Sequence, residues 1–277
     1  MRYSPETLRR LQLVLLEIVK DIDRVCRKND ISYFLDSGSC LGAVRHGGFI
    51  PWDDDMDLGM LRSDYDRFLE IAPRELGNKY VVAHPGVDDR LAGQFAKVWK
   101  QGTEFATKET IEAGIPQGIF VDVFPYDELS ANADEAKRQL ADCRMWQSLS
   151  YLYHAKTIVV PHKGMIGAME RLGCRLAHGV VHAFCNPMAV RSKFEQAARH
   201  GSGSQSGLFA NMTYTQMGCF PKEMLTPPVQ MSFEGVELPV PADSVGYLEQ
   251  VYGKTWNELP PEDQRRNHAP EKLSFGD

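Results

Sequence analysis

The sequence has no apolar run long enough to cross a bilayer: "LQLVLLEIVKDI" near the start is broken by Glu17, Lys20 and Asp21. The opening "MRYSPETLRRLQLVLL" lacks the basic end, apolar run and small-residue cleavage site of a secretory signal, so a cytoplasmic location is expected, the inner face of the membrane included. A C-x-x-C pair is missing too. Cys26, Cys40, Cys143, Cys174, Cys185 and Cys219 are scattered, which favours reduced thiols over a disulfide framework or a zinc site. The sequon Asn211-Met212-Thr213 then reads as chance. Positive charge is not in excess: 31 Lys and Arg stand against 37 Asp and Glu, a net of -6, so nucleic acid is not an expected partner. Internal repeats and low-complexity tracts are lacking as well.

What remains is 277 residues, 43% of them apolar, enough for one large core with an appended subdomain. "SPETLRRLQLVLLEIVKDIDRVCRKND" opens with Ser4 as cap and Pro5 at the first helical position, and its leucines and isoleucines follow helical spacing. "ISYFLD" reads as a strand and "SCLGAVRHGG" as a helix from Ser39 stopped by Gly47 and Gly48. "DMDLGML" reads as the next strand, followed by a helix "DYDRFLEIAP", capped by Ser63 with Asp66 and ending before Pro73. "KYVVAHP", "QFAKVWK", "TEFAT" and "GIFVDVFPYDEL" are further strands. Residues 132–200 are helical in spacing, with Asn186 capping and Pro187 opening the last of these helices. A flexible "GSGSQSG" precedes "LFANMTY"; a hairpin turns at Glu234-Gly235, and a helix from Asp243 stops at Gly253. The expected fold class is α/β (α+β), one catalytic domain over 1–277 with a helical insertion at 132–200.

Chemistry concentrates in "DSGSCLGAVRHGGFIPWDDDMDLGML". In a strand, side chains two apart share a face, so Asp55 and Asp57 project together about 6.5 Å apart, with Asp53 on the same side if the strand extends back. Oxygen ligands so placed suit magnesium, whereas a solvated acidic loop is the alternative; the flanking Phe49, Ile50, Trp52, Met56 and Leu58 count against it. An EF-hand is excluded, because its obligatory glycine position holds Leu58 and its twelfth position Asp64. Gly38-Ser39 at a strand-to-helix turn offers amides to an anion, or serves as a cap alone. Asp54 points to the opposite face and reads as a bystander. Asp122, inside "FVDVF", is too costly to bury unpaired, so it acts as a base, serves as a further metal ligand or pairs in a salt bridge. Lys97 in "FAKVW" is a phosphate candidate or a snorkelling lysine. Arg45 contacts phosphate or pairs with Asp36 or a clustered aspartate. Arg265, Arg266 and His268 form a small cationic patch. Trp52, Trp99, Phe124 and Tyr126 lie in or beside these segments as walls for a cationic head group or, as is more usual for such residues, as core.

"GS" after a strand, then "DMDL", then an acid inside an apolar strand resembles the nucleotidyltransferase superfamily. The longer string "LDSGSCLGAVRHGGFIPWDDDMDLGM", with "GIFVDVFPYD", "YLEQVYGKTW" and "PPEDQRRNHAP", resembles the LicD family from roughly Ile31 to His268. The resemblance implies a nucleotidyltransferase-like mixed sheet flanked by helices. It implies transfer of a phospho-alcohol such as phosphocholine from a CDP-activated donor to a hydroxyl of a glycan or lipid-linked glycan, with Mg2+ or Mn2+. By position it makes Asp55 and Asp57 the metal-holding pair, Asp53 a third ligand or support, Asp122 the third acid, and Gly38 and Ser39 the phosphate-side turn. Arg45, Lys97 and His268 match as substrate-binding residues. A nucleotidyltransferase releasing pyrophosphate and a non-catalytic nucleotide- or metal-binding module are the competing readings. "GMIGAMERLGCRLAHGVVHAF" is read either as peripheral membrane contact or as glycine-interrupted core packing.

Overall fold

Ser4 accepts a hydrogen bond from the Thr7 amide at 3.2 Å and starts α1 (Pro5–Lys28), whose Leu11, Leu15, Ile18, Val19, Ile22 and Val25 form one buried face. The computed structural model describes residues 3–154, 164–265 and 267–276. After β1 (Phe34–Leu35), α2 (Ser37–His46) begins two residues before the predicted Ser39. The reason is Asp36, which caps it by accepting from the Ser37 amide at 2.7 Å; Gly47, at φ 65°, ends it. Ladder pairing of β2 (Asp57–Leu61) begins only at Asp57. The helix expected to stop before Pro73 instead runs through it: α3 (Arg62–Leu76) has no side-chain cap, and Ser63 and Asp66 lie inside it. Its buried stripe of Tyr65, Phe68, Ala72 and Leu76 continues past the proline, which interrupts bonding only in the last turns.

The four strands expected next form β3 (Tyr80–Ala83), β4 (Ala96–Lys100), β5 (Glu104–Ala106) and β6 (Phe120–Glu128), with α4 (Lys108–Ala113) between the last two. Helices α5 (Ala133–His154), α6 (Gly164–Phe184) and α7 (Pro187–Ala198) fill the middle third, and the expected continuation of α5 to Lys156 lies outside the described residues. Asn186 caps α7 through the Met188 and Ala189 amides. The presumed flexible segment is tied down: Ser204 Oγ donates to the Leu129 carbonyl at 2.6 Å, and the amides of Gly203 and Gly207 reach the Glu128 carboxylate. There follow β7 (Leu208–Asn211), β8 (Phe220–Pro221) and α8 (Lys222–Leu225). The hairpin of β9 (Val229–Phe233) and β10 (Val236–Val240) turns on Glu234 and Gly235, both at positive φ. The chain then passes through α9 (Ser244–Tyr252), capped by Asp243, to β11 (Lys272–Ser274). Asn211 is 1% exposed and its side chain accepts from the Thr213 and Tyr214 amides, so the folded sequon is closed to glycosylation.

The main sheet is mixed, in the order β1-β2-β6-β4-β3. Strand β6 pairs parallel with β2 on one side; on the other it pairs antiparallel with β4 through its first half and with β7 through its second. Helices α1 and α3 pack against β6, and α5 and α7 enclose a smaller core of Leu129, Cys143, Phe194, Ala198, Ala210 and Met212. Thus β6 is the fold's central strand, and the residues opposite Asp122 are set by ladder register.

Candidate active site

Asp57 on β2 and Lys97 on β4 are both register partners of Asp122 on β6, so three predicted residues stand abreast on neighbouring strands. Lys97 Nζ lies 2.6 Å from Asp122 Oδ1. Before β2 the chain is extended without regular pairing, yet burial still alternates: Asp53, Asp55 and Asp57 are partly exposed, whereas Asp54, Met56 and Leu58 are buried. The hydrogen bonds from the Asp122 amide to the Met56 carbonyl and from the Asp36 amide to the Asp57 carbonyl, both 2.9 Å, fix this segment between β1 and β6.

The electrostatics are unbalanced. Asp53, Asp55, Asp57 and Asp122 have Lys97 and His268 as neighbouring cations. Burial, and then Asp55, push Asp53 far above the ordinary carboxylate range; burial, Asp55, Asp122 and Asp36 do the same to Asp57. Burial also raises Asp55, against the pull of His268. Burial raises Asp122 to about 6 although Lys97 opposes it. A hard divalent cation fits this set: its charge offsets the excess carboxylate charge, and oxygen is its preferred donor. Asp53, Asp55 and Asp57, on the more exposed side of one extended segment, are the residues that would hold it.

Other predicted residues have more specific geometry. A Cβ on Gly38 would stand 3.1 Å from Asp53 Oδ2, so the glycine makes room for that carboxylate. Ser39 is 6% exposed and its hydroxyl accepts from the Asp57 amide at 2.9 Å, so it braces the start of β2. Arg45 pairs with neither Asp36 nor the cluster, donating instead to the carbonyls of Trp256 and Glu258. His268 Nδ1 lies 3.2 Å from Asp54 Oδ1 and 3.4 Å from Asp55 Oδ2; its bond to Asp54 raises it to about 9. Arg265 stacks 4.7 Å from the Trp52 ring, while Arg266 lies outside the described residues.

Two cavities meet the cluster from different sides. One of about 490 Å³ is lined by Gly38, Arg45, Trp52, Asp53, Tyr252 and Trp256. The other, about 310 Å³, is lined by Asp55, Lys97 and Asp122 together with Phe95, Phe105, Phe120, Tyr151 and Tyr214. Among the expected aromatic walls only Trp52 lines either cavity: Trp99, Phe124 and Tyr126 are 7%, 4% and 0% exposed and belong to the core. A larger groove between α5 and α7, about 570 Å³, includes no residue of the cluster.

Sequence reasoning missed what supports the site. Asp54 is no bystander: fully buried, it accepts from Tyr3 Oη, both backbone amides of His268 and Ala269, and the His268 ring, and so fastens the C-terminal segment over the cluster. Those donors outweigh burial and lower it. Ligand atoms of Asp54, Asp55 and His268 come within 4.8 Å of one another, but the donors already around Asp54 leave it ill-suited to a cation. Asp36, also fully buried, takes hydrogen bonds from Tyr126, Tyr247 and the Ser37 amide, and burial raises it despite them. The signal for Asp54 was its place inside an apolar-flanked run; its partners are 51 and about 214 residues away in sequence and gave none.

The site is a carboxylate cluster built around register partners of a mixed α/β sheet, with a cavity opening at each of two sides. The family model described as LicD/FKTN/FKRP, nucleotidyltransferase domain, matches residues 30–161. The chain is 28% identical to the lipopolysaccharide cholinephosphotransferase LicD of Haemophilus influenzae, over 96% of this chain and 97% of that protein. It is 35% identical to the ribitol 5-phosphate transferase FKRP of Homo sapiens over 30% of this chain and 17% of that protein. An uncharacterized protein of Rickettsia typhi is 42% identical over 26% of this chain and 23% of its own length. Residues 30–161 thus carry a nucleotidyltransferase domain of LicD type, and the chain is an enzyme of that type.

Proposed function

We propose that this enzyme transfers a phospho-alcohol, with phosphocholine as the favoured group, from a CDP-activated donor to a hydroxyl of a glycan or lipid-linked glycan, releasing CMP. The observation that carries the reading is the abreast placement of Asp57, Asp122 and Lys97 beside Asp53 and Asp55, between two cavities. Asp53, Asp55 and Asp57 would hold Mg2+ or Mn2+, which when bound supplies neutralisation of the donor's diphosphate charge. Asp122 accepts the acceptor proton: raised to about 6, it is a better base than an ordinary carboxylate and still ionised at neutral pH. Lys97 holds its Oδ1 and orients it. The acceptor oxygen bonds to the alcohol-bearing phosphorus, the bond from that phosphorus to the bridging oxygen breaks, and CMP departs with the electron pair.

The two cavities suit the two ends of such a donor. Trp52, Tyr252 and Trp256 give the first flat faces for a pyrimidine, with Gly38 open toward the phosphates and Arg45 as a nearby donor, while His268 lines the second. The second is walled by aromatic rings, and the Lys97 ammonium already lies 3.8 Å from the Phe120 centroid, so its ring faces can attract a quaternary ammonium. This favours choline over an uncharged polyol.

The test is product analysis with CDP-choline, other CDP-alcohols and CTP, each with a glycan acceptor and Mg2+ or Mn2+. CMP formed in step with acceptor phosphorylcholination is expected. Pyrophosphate without CMP would replace this reading with nucleotidyl transfer, and donor binding without turnover would replace it with a binding module.

A further inference from the structure

Helix α6 presents Met169, Leu172, Leu176, Val180 and Phe184 at intervals of three or four residues, at 72%, 59%, 65%, 58% and 86% exposure, and Met188 follows at 66%. That spacing puts them in one stripe, about 22 Å long at 1.5 Å per residue. The opposite side is occupied: His178 Nδ1 lies 2.8 Å from the Leu152 carbonyl of α5, and the His182 ring stacks on Tyr153 at 4.8 Å. Among the described residues, the stripe is therefore the unpartnered face of a helix whose other face is packed. A soluble monomer seldom leaves so large a contiguous apolar patch uncovered.

Charge indicates what covers it. Residues 155–193 carry Lys156, Lys163, Arg171, Arg175, Arg191 and Lys193 against the single acid Glu170, in a chain whose net charge is -6. The stripe and the molecule's local positive excess thus coincide in sequence. A second copy would carry the same positive excess to the contact, whereas an anionic headgroup layer complements it. Position agrees. His154, at the end of α5, lines both the aromatic cavity beside Asp122 and the groove bordered by His178 and His182 of α6.

We propose that α6 is a membrane-docking helix that lies in the headgroup region of an anionic bilayer, apolar stripe inward, and sets the aromatic cavity beside the lipid surface. Docking itself stands on α6 and the basic residues around it. Delivery of a lipid-linked acceptor to that cavity rests on the proposed function.

The experiment is flotation of the full chain with vesicles of phosphatidylcholine alone or mixed with phosphatidylglycerol. The wild type is expected to float with the mixed vesicles and to be released by salt. Leu172→Asp with Leu176→Asp is expected to lose at least about ten-fold in partitioning. Arg175→Glu with Lys193→Glu is expected to lose about twenty-five-fold or more on mixed vesicles, since each basic residue near such a surface is worth about five-fold. Transfer to a soluble glycan should be unchanged in both. Val180→Trp, which keeps the stripe apolar, reports without risk to the fold: brominated lipid should quench its added fluorescence. Failure of the wild type to float, variants that float equally well, or an unquenched Val180→Trp would overturn the proposal. So would light scattering that shows a wild-type dimer split by the aspartates with vesicle binding intact, because the stripe would then belong to a second copy. Absence of CMP formation with flotation intact would sink the phosphotransfer reading and leave docking standing.

Discussion

Freed of divalent ions, this protein should become less stable as pH rises through the range where its clustered carboxylates ionise. Asp122 shows the size of the effect. Burial raises it from 3.8 to about 6, so between those values the folded state holds a proton that the unfolded chain has released. Stability falls with pH wherever the native state binds more protons, so the loss begins near the lower value and is complete just above the higher one. A shift of about two pKa units corresponds to roughly 3 kcal/mol, of which about 2 kcal/mol falls between about pH 4.5 and about pH 6.5. Asp53, Asp55 and Asp57 are raised in the same direction and add to the loss. Acids lowered by their partners, such as Asp54 and Asp88, give the opposite slope, as they lose their stabilisation when pH falls. Comparison with Asp122→Asn removes that background. Urea unfolding in EDTA should show the wild type losing about 2 kcal/mol relative to Asp122→Asn across this window. Mn2+ should then stabilise the wild type far more at the upper pH than at the lower, since its ligands must be deprotonated to bind. A flat or rising difference between wild type and Asp122→Asn, or an equal Mn2+ effect at both pH values, would refute the assignment of an unbalanced, cation-seeking cluster.

Other expectations follow from particular contacts. Asp55→Asn should abolish metal-dependent turnover and the Mn2+-induced rise in melting temperature while leaving circular dichroism unchanged; an intact metal response would remove Asp55 from the ligand set. Gly38→Ala pushes a methyl to 3.1 Å from Asp53 Oδ2 and should weaken Mn2+ binding, read by calorimetry, with a stability change below about 1 kcal/mol. Arg62 makes two bonds of 2.7 and 2.6 Å to the fully buried Asp127, so Arg62→Met leaves an unpaired buried carboxylate and should cost about 3–5 kcal/mol in urea unfolding. Asp54→Ala deprives Tyr3, His268 and Ala269 of their acceptor; limited proteolysis should then cut within residues 262–276 faster than in the wild type.

The legible parts of the molecule were those fixed locally. Ser4 and Pro5, Asn186 and Pro187, and Glu234-Gly235 act within a few residues of themselves, and each appears where its chemistry predicts. The boundary of α2 was misplaced because Asp36 and Ser39 are both good caps; what selects Asp36 is its burial among Tyr126 and Tyr247, 90 and 211 residues away. Pro73 misled because the pull of Leu76 toward the core outweighs a local breaker near a helix end. Within the site, Asp55, Asp57 and Asp122 stood out singly by type and spacing, and the family resemblance joined them. The Lys97–Asp122 pair was not legible, because register between β4 and β6 is a property of the assembled sheet. The aromatic walls were not legible for the same reason: Phe95 and Phe120 flank predicted residues in sequence, but only the fold shows that Tyr151 and Tyr214 reach the same cavity.

The acids of this protein separate by whether folding has already satisfied them. Asp36, Asp54 and Asp127 are each 1% exposed or less, and each accepts hydrogen bonds from tyrosines, backbone amides or an arginine. Such carboxylates hold segments together: Asp36 starts α2 beside the site, Asp54 fastens the C-terminal segment and Asp127 ties β6 to α3. Asp53, Asp55 and Asp57 are more exposed; burial raises all three, and the Asp55 charge raises Asp53 and Asp57 further. A carboxylate that costs stability where it stands, on the open side of a braced segment, is kept for something the chain does not itself supply. The buried acids hold the backbone on which the exposed ones converge, so substitution of Asp36 or Asp54 should lower metal affinity indirectly and with a loss of stability. Substitution of Asp55 or Asp57 should lower it directly, and in EDTA should leave the protein as stable as the wild type or more so, because a repelling charge has been removed. Calorimetric Mn2+ titration beside urea unfolding in EDTA measures both quantities for all four variants, and a destabilised Asp57→Asn would break the division.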